Sequence, residues 1–277
     1  MATLVGIPRA DACLTTLHTL ASGSSGNALL LSCGSTHLLV DAGISCRRIT
    51  KSLEELGLTP ADLTAILITH THADHISGLQ TLLKRTDCPV CATSRTLHDL
   101  AQRLPALAQR SLVLAGPESL GEVLVTAFST SHDAPGSCGF RLDGTSGSVG
   151  ILTDTGYVTD EAAAVLPGVD LAVLEANHDV ETLYSGPYPY YLKQRILGAE
   201  GHLSNEDAAR FAVFLAQQGT SEILLAHLSR ENNTPAMAQR TVETALSAAG
   251  LFPALSVAPR DTMSAPHPVH RRAVCRR

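Results

Sequence analysis

The chain has 277 residues, 44% of them hydrophobic and 17% charged, a globular composition with enough apolar surface for a full core. Its formal net charge of −6 excludes a general polyanion binder, because nonspecific nucleic-acid affinity comes from Lys and Arg neutralising phosphates. A nucleic-acid role therefore requires a local basic patch, or metals that supply positive charge.

In chain order, Leu14–Leu20, Ala28–Cys33 and Thr36–Val40 read as strands, with the Gly/Ser run Ser22–Asn27 as a turn. Cys46–Leu56 has helical periodicity, and Leu63–Ile68 is a short apolar run of the kind a buried strand carries. Ile76–Arg85 predicts a helix, Val90–Ala92 a strand, and Ser94–Leu104 a helix capped by its Ser. Strands follow at Ser111–Leu114, Glu122–Phe128, Ser148–Leu152, Leu171–Leu174 and Glu222–Ala226. Helices follow at Pro187–Leu197, Asn205–Gln217 and Pro235–Ala248. The pattern predicts one α/β domain over residues 1–258, with two sheets and outer helices. From residue 259 to 277, Pro266, Pro268 and scattered Arg replace the hydrophobic pattern and predict a disordered basic tail.

The 7 cysteines are odd in number and the chain is too large to need staples, so they read as reduced thiols of a cytoplasmic protein. Cys88-Pro-Val-Cys91 has no second pair with which to bind zinc and reads as strand with two small apolar side chains. The start lacks the basic and apolar regions of a signal peptide. No apolar run reaches the ~18–20 residues of a membrane span.

Chemistry concentrates at Thr69-His70-Thr71-His72-Ala73-Asp74-His75, directly after a predicted buried strand. The two-residue period of a strand end puts His70 and His72 on one side, and imidazole with carboxylate is the donor set of zinc and related divalent ions. The arrangement recurs. Other apolar strands stop at His132-Asp133, at Asp154, at Glu175-Ala176-Asn177-His178-Asp179, and at His227. In layered α/β folds sites gather at the carboxyl ends of strands, so these ends point to one shared polynuclear site.

H-T-H-A-D-H resembles the H-x-H-x-D-H signature of the metallo-β-lactamase superfamily, whose fold is an αββα sandwich of two mixed sheets flanked by helices. S-G-S-S-G-N, L-L-V-D-A-G, T-D-T-G, E-A-N-H-D, G-P-Y-P…L-K-Q-R-I, G-H-L-S-N and A-H-L-S-R-E-N-N are together similar to its YycJ/WalJ branch, over Leu20 to about Ala248. The resemblance implies His70, His72 and His132 on one metal, Asp74, His75 and His227 on another, and Asp154 between them. Such a pair, about 3.5–4 Å apart, shares a hydroxide that is nucleophilic near neutral pH. Mixed His and Asp ligation accommodates zinc, manganese or iron. His72 is not replaced by Glu, which disfavours a flavodiiron-type redox site, and Ala73 stands where Ser is common in the branch. Asp41 reads either as the carboxylate that orients a ligand His or as a turn cap.

The branch implies a DNA exonuclease that acts from the 5′ end in repair. Local features lean the same way. Gly201-His202-Leu203-Ser204 resembles the H-x-T/S element of RNase Z-like nucleases, making His202 the candidate general acid beside Asp74; Ser204 also reads as a helix N-cap. Tyr184, Tyr188, Tyr190 and Tyr191 crowd one segment with Lys193 and Arg195, a combination that suits bases and phosphates or, equally, a packed loop. Asn232 follows the His227 strand end, and His178 with Asp179 reads as support for His202 or Asp154. Two alternatives stand beside the nuclease: a lactonase or thioester hydrolase on the same metals, and a non-enzymatic, metal-stabilised interaction protein.

Overall fold

A computed structural model describes residues 14–104, 107 and 109–271. Its strands are β1 (Thr15–Ala21), β2 (Ala28–Cys33), β3 (Thr36–Val40), β4 (Ala65–Leu67), β5 (Val90–Ala92), β6 (Ser111–Val113), β7 (Glu118–Leu120), β8 (Val123–Ser129), β9 (Cys138–Asp143), β10 (Ser148–Leu152), β11 (Leu171–Glu175), β12 (Glu222–Ala226), β13 (Ala254–Val257) and β14 (His267–Val269). The α-helices are α1 (Cys46–Glu55), α2 (Ala73–Ile76), α3 (Leu79–Leu82), α4 (Ser94–Arg103), α5 (Asp160–Val165), α6 (Val180–Ser185), α7 (Tyr190–Leu197), α8 (Asn205–Gln217) and α9 (Pro235–Ala248).

The strands form two seven-stranded sheets, ordered β14-β1-β2-β3-β4-β5-β6 and β13-β12-β11-β10-β9-β8-β7. Each is mixed: β3 to β6 pair in parallel, as do β10 to β13, and the remaining pairs are antiparallel. The two-residue period decides which face each side chain serves. Leu29 and Leu31, Leu171 and Val173, and Leu224 join Phe140 and Ile151 in the core between the sheets. Leu30 turns outward into the core under α1 and α4. Ala172, Leu174, Ile223 and Leu225 turn outward under α8 and α9. The central strands are thus buried on both faces, and the layers run helix, sheet, sheet, helix.

Caps and breaks are local. Ser204 accepts from Asp207 N, with Glu206 and Asp207 in the first turn of α8, and Thr234 accepts from Met237 N ahead of Pro235. Helix α4 is capped by Thr93, whose hydroxyl accepts from Thr96 N, rather than by the Ser94 that the sequence suggested. The expected helix Ile76–Arg85 is instead two short pieces, α2 and α3. At the junction Gly78 N donates to Ala42 O at 2.8 Å, and a Cβ there would lie 2.1 Å from Ile44 O. The chain must leave its helical ladder to pack against that loop.

The expectation of disorder from residue 259 is corrected as far as residue 271. Ser264 exchanges hydrogen bonds with Thr19, β14 pairs with β1, His267 Nδ1 lies 2.6 Å from Glu222 Oε1, and Val269 joins the central core. Backbone pairing and one buried Val outweigh the polar, proline-containing composition; residues 272–277 lie outside the described residues. Among the described residues no helix is long and apolar enough to cross a membrane. The described cysteines Cys33, Cys46, Cys88, Cys91 and Cys138 are buried free thiols, and burial pushes Cys91 up to about 12.

Candidate metal centre

The strands β3, β4, β8, β10, β11 and β12 all deliver their carboxyl ends to one edge of the sandwich, where Asp41, the segment 70–75, His132, Asp154, Glu175 and His227 converge. Three residues there have left-handed backbone: Asp41 (φ 60°), Asp154 (φ 57°) and His227 (φ 56°). Among the described residues they are the only non-glycines at positive φ. Such a conformation costs on the order of 1–3 kcal/mol and persists only where the surroundings impose it. Here it turns each side chain sharply off its strand end into the cluster.

Four of the imidazoles share one design. His75 Nδ1 lies 2.7 Å from Asp41 Oδ2, His70 Nδ1 3.0 Å from Thr69 Oγ1, His132 Nδ1 3.1 Å from Gly201 O, and His227 Nδ1 2.8 Å from Glu175 Oε1. Each of these Nδ1 atoms is held by an oxygen on the outside, which turns its Nε2 to the interior. There, His75 Nε2 is 3.2 Å from Asp154 Oδ2, and His227 Nε2 is 3.5 Å from Asp154 Oδ1 and 3.6 Å from Asp74 Oδ2. His132 Nε2 faces His72 Nδ1 at 3.2 Å. Asn27 Nδ2 closes one side, 3.1 Å from His75 Nε2.

Grouped by ligand atoms, His70, His72 and His132 form one set, Asp74, His75 and His227 a second, and His70, His75 and Asp154 a third that joins them; each could hold a metal ion. The chemistry of the donors fits a divalent cation. The buried atoms His70 Nε2, His227 Nε2 and Asp154 Oδ2 have no hydrogen-bond partner, an expensive arrangement unless a cation takes their lone pairs. The charge balance agrees. Burial opposes ionisation of Asp154, yet His227 and His75 hold its carboxyl well below the usual range. Burial opposes charge on His227, but Asp154, Asp74 and Glu175 overcome it and raise the ring to about 10. The pocket is anionic at heart and demands positive charge.

Glu175 is the residue that sequence reading passed over as a site residue. It is fully buried at the end of β11. Its Oε1 takes His202 Nδ1 and His227 Nδ1, each at 2.8 Å, and its Oε2 accepts from Thr155 N and Leu203 N. Burial would raise its pKa, but His202 and His227 bring it down to about 2. The available signal was its place in the recurring strand-end pattern. Asp41, for which orienter and turn cap were both open, makes the His75 contact and also accepts from Thr69 N.

Above the cluster lies a cavity of about 230 Å³, lined by His72, Asp74, His132, Asp154, His202 and His227 and closed from the side by Tyr188, Leu192, Arg195 and Ile196. The other residues expected near the substrate make local contacts, and Ser204 is the helix N-cap that the sequence also offered. Lys193 Nζ donates to the carbonyls of Tyr184 and Gly186, Asp179 caps α6, Ser204 caps α8, and Asn232 is buried, with its carbonyl accepting from Asp179 N. His178 is buried with neither ring nitrogen bonded, and burial lowers it to about 4; its backbone bridges to Ser204. Tyr184, Tyr190 and Tyr191 are exposed.

Two mixed seven-stranded sheets between helix layers, with a His/Asp cluster at the strand ends, define the metallo-β-lactamase architecture. Residues 36–228 match the family model for the beta-lactamase superfamily domain, and the chain belongs to this metallo-β-lactamase superfamily. It is 40% identical over 237 residues to exodeoxyribonuclease WalJ of Streptococcus pneumoniae, covering 84% of this chain and 88% of that protein. It is 37% identical over 234 residues to exodeoxyribonuclease YycJ of Bacillus anthracis, covering 83% and 89%. Among solved structures, the metallo-β-lactamase fold protein YhfI of Bacillus subtilis superposes with a TM-score of 0.70 at 18% identity, covering 91% of this chain and 99% of that one, a likeness of fold.

Proposed function

We propose that this chain is a two-metal DNA exonuclease that hydrolyses phosphodiester bonds. His70, His72 and His132 hold one divalent ion, Asp74, His75 and His227 a second, and Asp154 lies between them. The observation that carries the reading is the convergence of unpartnered imidazole and carboxylate atoms beneath an open cavity, in a chain 40% identical to an exodeoxyribonuclease over 237 residues. Bound divalent ions, Zn²⁺ or Mn²⁺ by donor type, supply an activated water and neutralise charge on the phosphoryl oxygens.

The chain's own groups do the rest. Asp41, Thr69, Gly201 and Glu175 fix the tautomers of the ligand imidazoles. Glu175 also holds His202 by Nδ1, leaving the far side of this partly exposed ring for the substrate. From there His202 presents a proton to the departing 3′ oxygen or binds a phosphate oxygen. Tyr188, Leu192 and Ile196 give the cavity an apolar wall suited to a base or sugar. Free, buried thiols support a reducing, cytoplasmic setting.

The test uses purified protein with Mn²⁺ or Zn²⁺ and 5′-labelled single- and double-stranded DNA, with Asp74→Ala as control. Metal-dependent nucleotide release by the wild type alone is the expected result, and the product ladder reports the end attacked. Intact DNA under both metals, with hydrolysis of a simple lactone or thioester, overturns the reading.

A further inference from the structure

His70, His75, His132 and His227 each have an oxygen behind the ring. Among the described residues His72 has none. Its Nδ1 faces His132 Nε2 at 3.2 Å, and Asp133 Oδ1, 3.4 Å from its Nε2, makes no hydrogen bond. With 34% of its side chain accessible, it is also the most exposed ring of the group His70, His72 and His132. A ring without an outer partner takes its position from the backbone that carries it. That backbone is gripped at Thr71, the residue between His70 and His72.

Thr71 is buried, and its Oγ1 donates to Asp99 Oδ2. Arg103 Nη1 donates to Thr71 O at 2.9 Å, and Arg103 Nη2 meets the same Asp99 Oδ2 at 2.9 Å. Asp99 and Arg103 lie one turn apart on α4, so three residues close a ring of contacts. An exposed ion pair on a helix contributes little by itself. Here both members reach off the helix onto one buried residue, and every contact has a charged partner, which makes each of them strong. Thr71 O belongs to the peptide that leads into His72. Arg103 therefore fixes the plane of that peptide, while Asp99 fixes the side chain of the residue before it. The ties made by Asp41 to Thr69 and His75, and by Asn27 N to Asp74 O, lie on either side of the His70–His72 pair.

We propose that Asp99 and Arg103 are positioning residues for the metal set His70, His72 and His132, and that they act through Thr71. The proposal rests on the two-metal reading above. It makes α4 part of the site although the cavity is lined by other elements. His72 stays open to the cavity on its ring and is held from below by its backbone. The second set, Asp74, His75 and His227, has its rings held by Asp41 and Glu175 and does not depend on this grip.

The experiment measures the two stepwise Zn²⁺ affinities by competition with a chromophoric chelator, with circular dichroism of the chelated proteins as the check on folding. His72→Ala marks the ion in question, as the step it weakens most. Thr71→Val, which keeps the shape and removes the hydroxyl, is expected to weaken that same ion by about 10-fold, the low end of the range for losing a group that orients a ligand, and to leave the other at its wild-type affinity. Thr71→Ser restores the hydroxyl and the affinity. Asp99→Ala weakens the same ion at least as much, and adding Thr71→Val to it changes nothing further, because the hydroxyl acts through that carboxylate. Arg103→Gln alters a half-exposed side chain and leaves buried Thr71 in place, so a one-ion loss in this variant carries the result even if Thr71→Val folds poorly. Unchanged affinities, equal weakening of both ions, or additive effects of Thr71→Val and Asp99→Ala overturn the proposal. A wild type that binds no ion overturns the metal reading itself, and is told apart from these by its own titration.

Discussion

His70, His75, His132 and His227 are each oriented by an oxygen behind the ring as well as by the segment that carries them. Glu175 serves two rings and two backbone amides at once, so its loss is felt beyond any single contact. Glu175→Gln keeps the shape but removes the charge, and an amide nitrogen placed at either oxygen position faces a donor. Metal affinity in this variant should fall by about 10–100-fold, read by chelator competition, with His202-dependent turnover falling alongside it. Glu175→Ala should in addition cost about 1–3 kcal/mol of stability for each orphaned buried amide, read by urea unfolding of the metal-free protein. Wild-type affinity in Glu175→Gln would remove this residue from the site. The three left-handed residues belong to the same scale: at Asp41, Asp154 and His227 the surrounding cluster holds a backbone conformation that non-glycine residues seldom adopt.

Among elements, the histidine-rich segment 70–75 is held by loops rather than by a long helix. Asp74 O accepts from Asn27 N at 2.8 Å, and Gly43 lies so close beneath that a Cβ would be 1.6 Å from this oxygen. Glycines at 43 and 78 let the turn after β3 touch α2, which is why the helical periodicity of Ile76–Arg85 does not produce one helix. Helix α4 shows a smaller shift with a direct test. Thr93 caps it and also donates to Gly136 O at 2.8 Å, whereas Ser94 is exposed. Thr93→Ala should lower stability by about 1–2 kcal/mol, and Ser94→Ala by less than about 0.5 kcal/mol, compared by thermal unfolding. Equal effects would return the cap to Ser94.

For the whole molecule, the two sheets meet along an apolar core and are also clasped at one edge by the cluster, to which the first sheet gives residues 70–75 and the second gives His132, Asp154, Glu175 and His227. Anything that binds this edge stabilises the joined state. With free ion at about 1,000 times its dissociation constant, each site adds roughly 4 kcal/mol. At about 2–4 °C per kcal/mol for a domain of this size, chelation should lower Tm by at least about 10 °C. Calorimetry with and without chelator reads it, and a Tm indifferent to chelator speaks against buried metals. The far end of the chain contributes as well, because β14 pairs with β1 and becomes the short edge strand of the first sheet.

Local patterns were legible in the sequence. His70, His72, Asp74 and His75 lie within one turn, and His132, Asp154 and His227 each follow an apolar strand, so strand ends and donor types could be read without a fold. The long helices α8 and α9 and the strands β2, β3, β10 and β12 were equally plain, their periods and caps being properties of neighbouring residues. Short elements escaped: β7 spans three residues, Gly139 and Arg141 interrupt the apolar alternation of β9, and α5 and α6 are single short turns. The tertiary structure alone decided which nitrogen of each ring faces the cluster interior, that Glu175 underlies both His202 and His227, and that Lys193 Nζ donates to the carbonyls of Tyr184 and Gly186. It also decided that a proline-containing, charged segment becomes a strand. These follow from contacts between residues far apart in the chain, where burial and hydrogen-bond satisfaction, rather than local preference, set the outcome.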